Sequence, residues 1–160
     1  MMKKRKMEEI IFPSAEGFMS KTAASPIAFI ILAAGLGTRM KSSTPKMLHE
    51  LCGRSMLSHA VHAAAGVSPH HIVVVTGHQR ERVQQAVADI AEELNRPVLT
   101  AVQEEQNGTG HAVMCGLSAL PEDFTGTILV TTSDVPMLDS ATLHDLSLIH
   151  ISEPTRLGMI

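Results

Sequence analysis

The sequence predicts an α/β domain in which helices cover a mostly parallel sheet, and three observations carry that reading. From Ile27 onward, short β-branched runs alternate with longer stretches of helical period. Four of those runs are apolar almost without interruption, the pattern of strands buried on both faces rather than one. The 160 residues, 44% hydrophobic and 18% charged, are enough for one sizeable core in a single domain.

Taken in chain order, residues 1–24 mix charge, Gly17, Ser and Thr without period and are expected to form a disordered leader. The first strand is predicted at Ala28–Leu32. A helix follows at Ser55–Ala65, where Met56, Leu57, Ala60, Val61 and Ala64 share a face. The second strand is Ile72–Thr76, and the helix Arg80–Leu94 carries Val83, Val87, Ile90 and Leu94 at spacings of four, three and four. Val98–Val102 is the third strand, Gly110–Leu120 a helix weakened by Gly116, and Thr127–Thr132 the fourth strand. Residues 25–146 form the domain. From Ser147 the chain continues no upstream pattern and resembles the translation of a sequencing-library adapter, so 147–160 is expected to be a foreign or disordered tail on an incomplete domain. A sheet cut off after its fourth strand is expected to expose apolar surface.

Composition excludes several function classes. Four Phe with no Tyr or Trp leave no array of rings for single-stranded nucleic acid. Between Ser25 and Leu146 seven basic side chains face twelve acidic ones, net −5, which repels a polyanion unless its charge is met at one local site. Cys52 and Cys115 are 63 residues apart with no C-x-x-C, so buried free thiols are expected rather than a zinc site or a disulfide. No stretch approaches a membrane span, and Glu8, Glu9 and Pro13 interrupt any secretory segment; a cytoplasmic location is expected. His59 and His62, three apart on a helix, match no motif and are expected at the surface.

Chemistry concentrates just after the first strand, where doubly wound sheets gather ligands. Leu32-Ala33-Ala34-Gly35-Leu36-Gly37-Thr38-Arg39-Met40 lets backbone N–H groups approach an anion closely, because small residues keep side chains out of the way. A dinucleotide fingerprint would need Gly at Met40, and a Walker A loop would end in Gly-Lys-Ser/Thr, so neither applies. Arg39 and Lys46 flank the loop as a bidentate phosphate donor and a compact point charge. A lone surface cation is ordinarily only solvated; the glycine context makes these two candidates.

This segment, with Ser43, Pro45-Lys46 and Leu48-His49, resembles the opening signature of sugar-1-phosphate nucleotidyltransferases, nearest the bifunctional bacterial N-acetylglucosamine-1-phosphate uridylyltransferases. Gln103-Glu104-x-Gln106-x-Gly108-Thr109-Gly110-His111-Ala112 is similar to the uracil loop of that family, and Ser133-Asp134-Val135-Pro136-x-Leu138 to its metal segment, with Ser133 where the family has Gly. The resemblance implies a Rossmann-like, GT-A-type nucleotidyltransferase fold, a three-layer sandwich, here incomplete. It implies a nucleotide cradle of Leu32, Ala33, Ala34, Gly35, Gly37 and Thr38, with Arg39 and Lys46 as catalytic cations on the phosphates. Gln103 and Gly108 would read uracil beside Thr109, and Asp134 would hold Mg²⁺. UTP and N-acetylglucosamine-1-phosphate are the implied partners, with no nucleic acid and no membrane. The implied reaction is in-line attack on the α-phosphorus, giving UDP-N-acetylglucosamine for cell-wall synthesis, and the family's intact protein is a trimer through a C-terminal acetyltransferase β-helix. The sugar-binding half and a second metal ligand, an Asn, fall outside the matching residues, so the fragment itself is expected to be inactive. Molybdopterin cytidylyl- or guanylyltransferases share the Gly loop and Lys but not the Gln103–His111 segment; a non-catalytic nucleotide-binding module or a misfolded product is the remaining alternative.

Overall fold

The computed structural model describes residues 25–152, apart from 36, 38, 39, 41 and 78. The expected leader, 1–24, and residues 153–160 lie outside it. β1 is Ile27–Ala33. A 3₁₀ turn at Lys46–Leu48 leads into a small hairpin, β2 at Glu50–Leu51 and β3 at Arg54–Ser55. Its two-residue turn, Cys52-Gly53, has both φ values positive, the geometry that matches hairpin twist, and this puts the Cys52 thiol in solvent rather than in the core. Cys115 is half-buried, and neither cysteine is in a disulfide.

α1 is Met56–Gly66, capped by the Ser55 Oγ, which accepts from the Ser58 N–H at 3.1 Å. β4 is His71–Thr76, α2 Arg80–Glu93, β5 Leu99–Val102, α3 Gly108–Ser118, β6 Thr127–Thr132 and α4 Ser140–Ser152. The four long strands are parallel in the order β5-β4-β1-β6. The chain steps outward from β1 to β4 to β5, then returns to the other side of β1 for β6, so the winding direction reverses between β1 and β6.

Alternating residues of β1 separate two cores. Phe29, Ile31 and Ala33 join Ile72 and Val74 against Leu57, Val61, Val83, Val87 and Leu143 from α1, α2 and α4. Ile30 and Ala34 join Val73, Val75 and Ala112 of α3 on the opposite face. The result is a three-layer α/β sandwich. Burial on both faces, expected for all four strands, holds for β1 and β4. At β5 and β6, the edges among the described strands, only Ala101 and Leu129 are buried, and Val130 is 47% exposed.

Gly116, which weakened the helix expectation, explains how closely α3 sits: a Cβ there would lie 2.6 Å from Ile30 Cγ2 and 3.1 Å from Val75 Cγ2. The expected boundary between Leu146 and Ser147 falls inside α4, where Ser147 is buried and its hydroxyl donates to the His144 carbonyl at 2.6 Å. Among the described residues no helix is long and apolar enough to cross a membrane.

Candidate active site

The reversal between β1 and β6 opens a crevice at the carboxyl ends of the strands, the place where open parallel sheets bind ligands. A cleft of about 560 Å³ occupies it. From β1 and its following loop come Leu32, Ala34, Gly35, Gly37 and Met40; Ala33, turned the other way, packs in the core. Thr38 and Arg39 lie outside the described residues. From the segment after β5 come Gln103, Gln106, Gly108 and Thr109, and from the end of β6 come Thr132, Ser133 and Asp134. Lys46, Met47 and Ala112 complete the wall.

Lys46 is held from three sides. Gly37 has φ +58°, and a Cβ on it would stand 2.8 Å from the Lys46 Cβ, so only glycine leaves room for the lysine stem. Met47, next in the 3₁₀ turn, is buried and anchors the backbone. Upstream, the Arg82 guanidinium donates to the Ser43 carbonyl at 2.9 Å and ties the loop to α2. The ammonium is thereby aimed across the cleft at Asp134, with Nζ to Oδ2 at 2.6 Å.

Asp134 reaches that position because the β1 ladder continues one step past β6: the Ser133 N–H donates to the Leu32 carbonyl at 3.0 Å. The hydrogen bond from Lys46, with help from the Thr132 hydroxyl, holds the Asp134 carboxyl below its ordinary range. It is an ionised carboxylate at neutral pH. Among the described residues no group of three or more His, Cys, Asp or Glu side chains converges. His59 and His62 do not cooperate: His59 Nε2 meets the Leu51 carbonyl at 2.8 Å, and His62 lies between the Ser58 carbonyl and Glu93.

The segment after β5 is a closed loop. The Gln103 N–H donates to the Thr76 carbonyl at 2.8 Å, and its buried side-chain amide donates to the Gly108 carbonyl at 3.0 Å. His111 Nδ1 lies 3.0 Å from the Glu105 carbonyl. Gly108, at φ +86°, turns the chain into α3, so the first turn of that helix opens at the cleft with its N–H groups and positive dipole end.

Of the sequence-predicted residues within the described part, all but Ala33 line one cleft. Met40, Met47, Gln106, Ala112, Thr132 and Ser133 were not anticipated as lining. Gln106 was legible inside the Gln103–His111 segment, Met40 at the end of the glycine-loop motif and Thr132 from the strand-end position next to Asp134; Met47 carries no local signal.

Residues 29–153 match the family model described as MobA-like NTP transferase domain. The chain is 64% identical over 128 residues to the "Bifunctional protein GlmU" of Rhodococcus opacus (strain B4), an alignment covering 80% of this chain and 26% of that protein. It therefore spans about a quarter of the length of the curated relative it matches. Among solved structures, Rv0371c from Mycobacterium tuberculosis H37Rv superposes with a TM-score of 0.63 at 22% identity, covering 81% of this chain and 61% of that one. A UDP-glucose pyrophosphorylase complexed with UDP-glucose does so with a TM-score of 0.61 at 17% identity, covering 80% and 54%. At these identities the two superpositions speak for the fold alone.

Proposed function

The chain belongs to the family of MobA-like NTP transferase domains, and we propose that its cleft is the UTP site of a parent enzyme that transfers the uridylyl group to N-acetylglucosamine-1-phosphate and releases pyrophosphate, the 160 residues by themselves binding UTP without turnover. The observation that carries this reading is convergence. Three segments far apart in sequence bring a glycine loop, a cation, a carboxylate and an amide-rich loop to one crevice.

Each part has a task in that chemistry. The small residues Ala34, Gly35 and Gly37 let phosphate oxygens approach the backbone. Lys46 is the fixed point charge for the triphosphate. Gln103, the first N–H groups of α3 and the Thr109 hydroxyl offer hydrogen-bonding edges for a pyrimidine base, as a chain without Trp or Tyr requires. An oxygen of the sugar phosphate attacks the α-phosphorus in line; the bond to the bridging oxygen of the β-phosphate breaks, and pyrophosphate leaves with the electron pair. The nucleophile is already ionised at neutral pH, so no general base is needed. Catalysis rests on holding two mutually repelling anions in line and offsetting their charge.

The donor set fits Mg²⁺, which is commonly held by one or two carboxylates together with substrate phosphates and waters. Among the described residues Asp134 is the only acidic one lining the cleft, and it is ionised. It would hold the ion, whose charge would offset that of the phosphates. Lys46 and Asp134, paired in this structure, would then each face a ligand of opposite charge.

The test is calorimetric titration of the 160-residue chain with Mg²⁺ and UTP, CTP or GTP in turn, alongside pyrophosphate release by the intact parent protein with N-acetylglucosamine-1-phosphate. UTP binding by the chain with UTP turnover by the parent supports the reading. Preference for CTP or GTP favours a molybdopterin-type nucleotidyltransferase, a parent that binds UTP without turnover favours a nucleotide-binding module, and absence of heat with every nucleotide refutes a nucleotide site.

A further inference from the structure

The segment after β5 reaches across the end of β4 to the end of β1. Gln106 makes the crossing: its Nε2 donates to the Ala34 carbonyl at 2.8 Å, joining residues 72 apart in sequence. Ala34 begins the glycine loop, and Gln106 belongs to the loop that would face the base. Gly77, at the end of β4, lies beneath. A Cβ there would be 2.9 Å from the same Ala34 oxygen and 3.0 Å from the Ala34 Cβ, so a side chain at 77 would crowd the carbonyl that the strap uses. Beyond Gly77 a second cleft begins, and Gln103 and Gln106 line both, forming the wall between them.

The strand ends show why a side chain is used here. One residue past β6 and past β5 the ladder is still extended by backbone, with the Ser133 N–H on the Leu32 carbonyl and the Gln103 N–H on the Thr76 carbonyl. At Ala34 the backbone turns away into the glycine loop, and the Gln106 amide supplies a donor to its carbonyl.

We infer that Gln106 is a positioning residue that sets the distance between the base-facing loop and the phosphate-facing loop. It couples recognition of the base to recognition of the phosphates. This rests on the nucleotide reading of the cleft. A nucleoside triphosphate contacts both loops at once, so it feels their spacing; inorganic tripolyphosphate contacts only one and does not. Gln106 is itself exposed, so its replacement leaves the core intact.

The experiment uses Gln106→Met, which keeps length without a donor, and Gln106→Glu, which at neutral pH turns an acceptor toward the carbonyl. In the free protein, amide hydrogen exchange at Glu105–Thr109 and Gly35 should accelerate in both variants with the thermal midpoint unchanged. By calorimetry with Mg²⁺, UTP should bind about fivefold more weakly in Gln106→Met, the scale of one lost hydrogen bond. Inorganic tripolyphosphate should bind as it does to the wild type. Unchanged exchange and unchanged UTP affinity overturn the coupling role while leaving the nucleotide reading intact, as does an equal loss for UTP and tripolyphosphate. A wild-type chain that binds no nucleotide overturns the reading, and this inference with it.

Discussion

Gly37→Ala is the sharpest test of how the glycine loop works, because it adds one methyl where the structure leaves no room. Two costs follow from the geometry. The backbone at φ +58° is left-handed, which costs a residue with a Cβ about 1–2 kcal/mol. The new methyl would also stand 2.8 Å from the Lys46 Cβ, and ordinary carbon contacts begin near 3.5 Å, so the two must part by roughly 0.7 Å. The Lys46 stem cannot swing away from its root, and its backbone is fixed by the 3₁₀ turn with buried Met47 beside it. The expected loss is about 2–3 kcal/mol of folding stability by urea titration. UTP affinity should fall as well, because the ammonium leaves its place opposite Asp134. Gly35→Ala is the control: a Cβ there meets nothing within 4 Å, so stability should stay within about 0.5 kcal/mol of wild type. Equal stabilities for the two variants, with UTP bound as tightly by Gly37→Ala as by wild type, would refute the claim that this glycine shapes the Lys46 site.

In the intact parent protein, Lys46→Ala should lower pyrophosphate release about a hundredfold, the loss typical of one donor to a transition-state anion. Both members of its ion pair are more than a third exposed, so denaturation should detect at most about 1 kcal/mol; unchanged turnover removes Lys46 from the mechanism. Asp134 has a folded-state pKa below its unfolded one, so its contribution to stability is full above the unfolded value and is lost as pH falls through the folded value. The stability difference between wild type and Asp134→Asn should hold near pH 7, begin to shrink as pH falls to about 4, the ordinary carboxylate value, and vanish only in stronger acid, below the folded-state value. In Lys46→Met the Asp134 carboxyl should titrate closer to the ordinary carboxylate value by NMR. Gly116→Ala should lower the thermal midpoint through its clash with Ile30, by about 1–3 kcal/mol of overpacking.

How legible the fold is in the sequence depends on how strongly each element buries a face. The four long strands were legible within a residue at each end because their apolar runs sit in or beside the core, and Thr127–Thr132 was placed without error. α3 begins two residues earlier than its period implies, because the Gly108 turn rather than an apolar residue starts it. The β2–β3 hairpin was missed since two residues per strand show no alternation. α4 was missed for a different reason. It buries Leu143 and Ser147 while Leu146 and Leu148 stay exposed, so no apolar stripe announces it. Its one local signal is Asp139, whose carboxylate accepts from the Thr142 N–H at 2.8 Å and is held below its ordinary range by that bond.

The site divides along the same line. Residue types fit for phosphate, base and metal could be picked out by local motif, but a motif says nothing of what lies opposite. Lys46 and Asp134 are 88 positions apart, and Gln106 and Ala34 are 72. What brings both pairs together is the reversal of winding between β1 and β6, since it sets the ends of β1 and β6 side by side with the loop from β5 reaching over β4. Moving either flanking strand would separate the charges without altering any motif. For this domain, therefore, the strand order is itself part of the site. The small residues Gly37 and Gly77 matter as much as the charged ones, because they let segments distant in sequence lie within a hydrogen bond of each other.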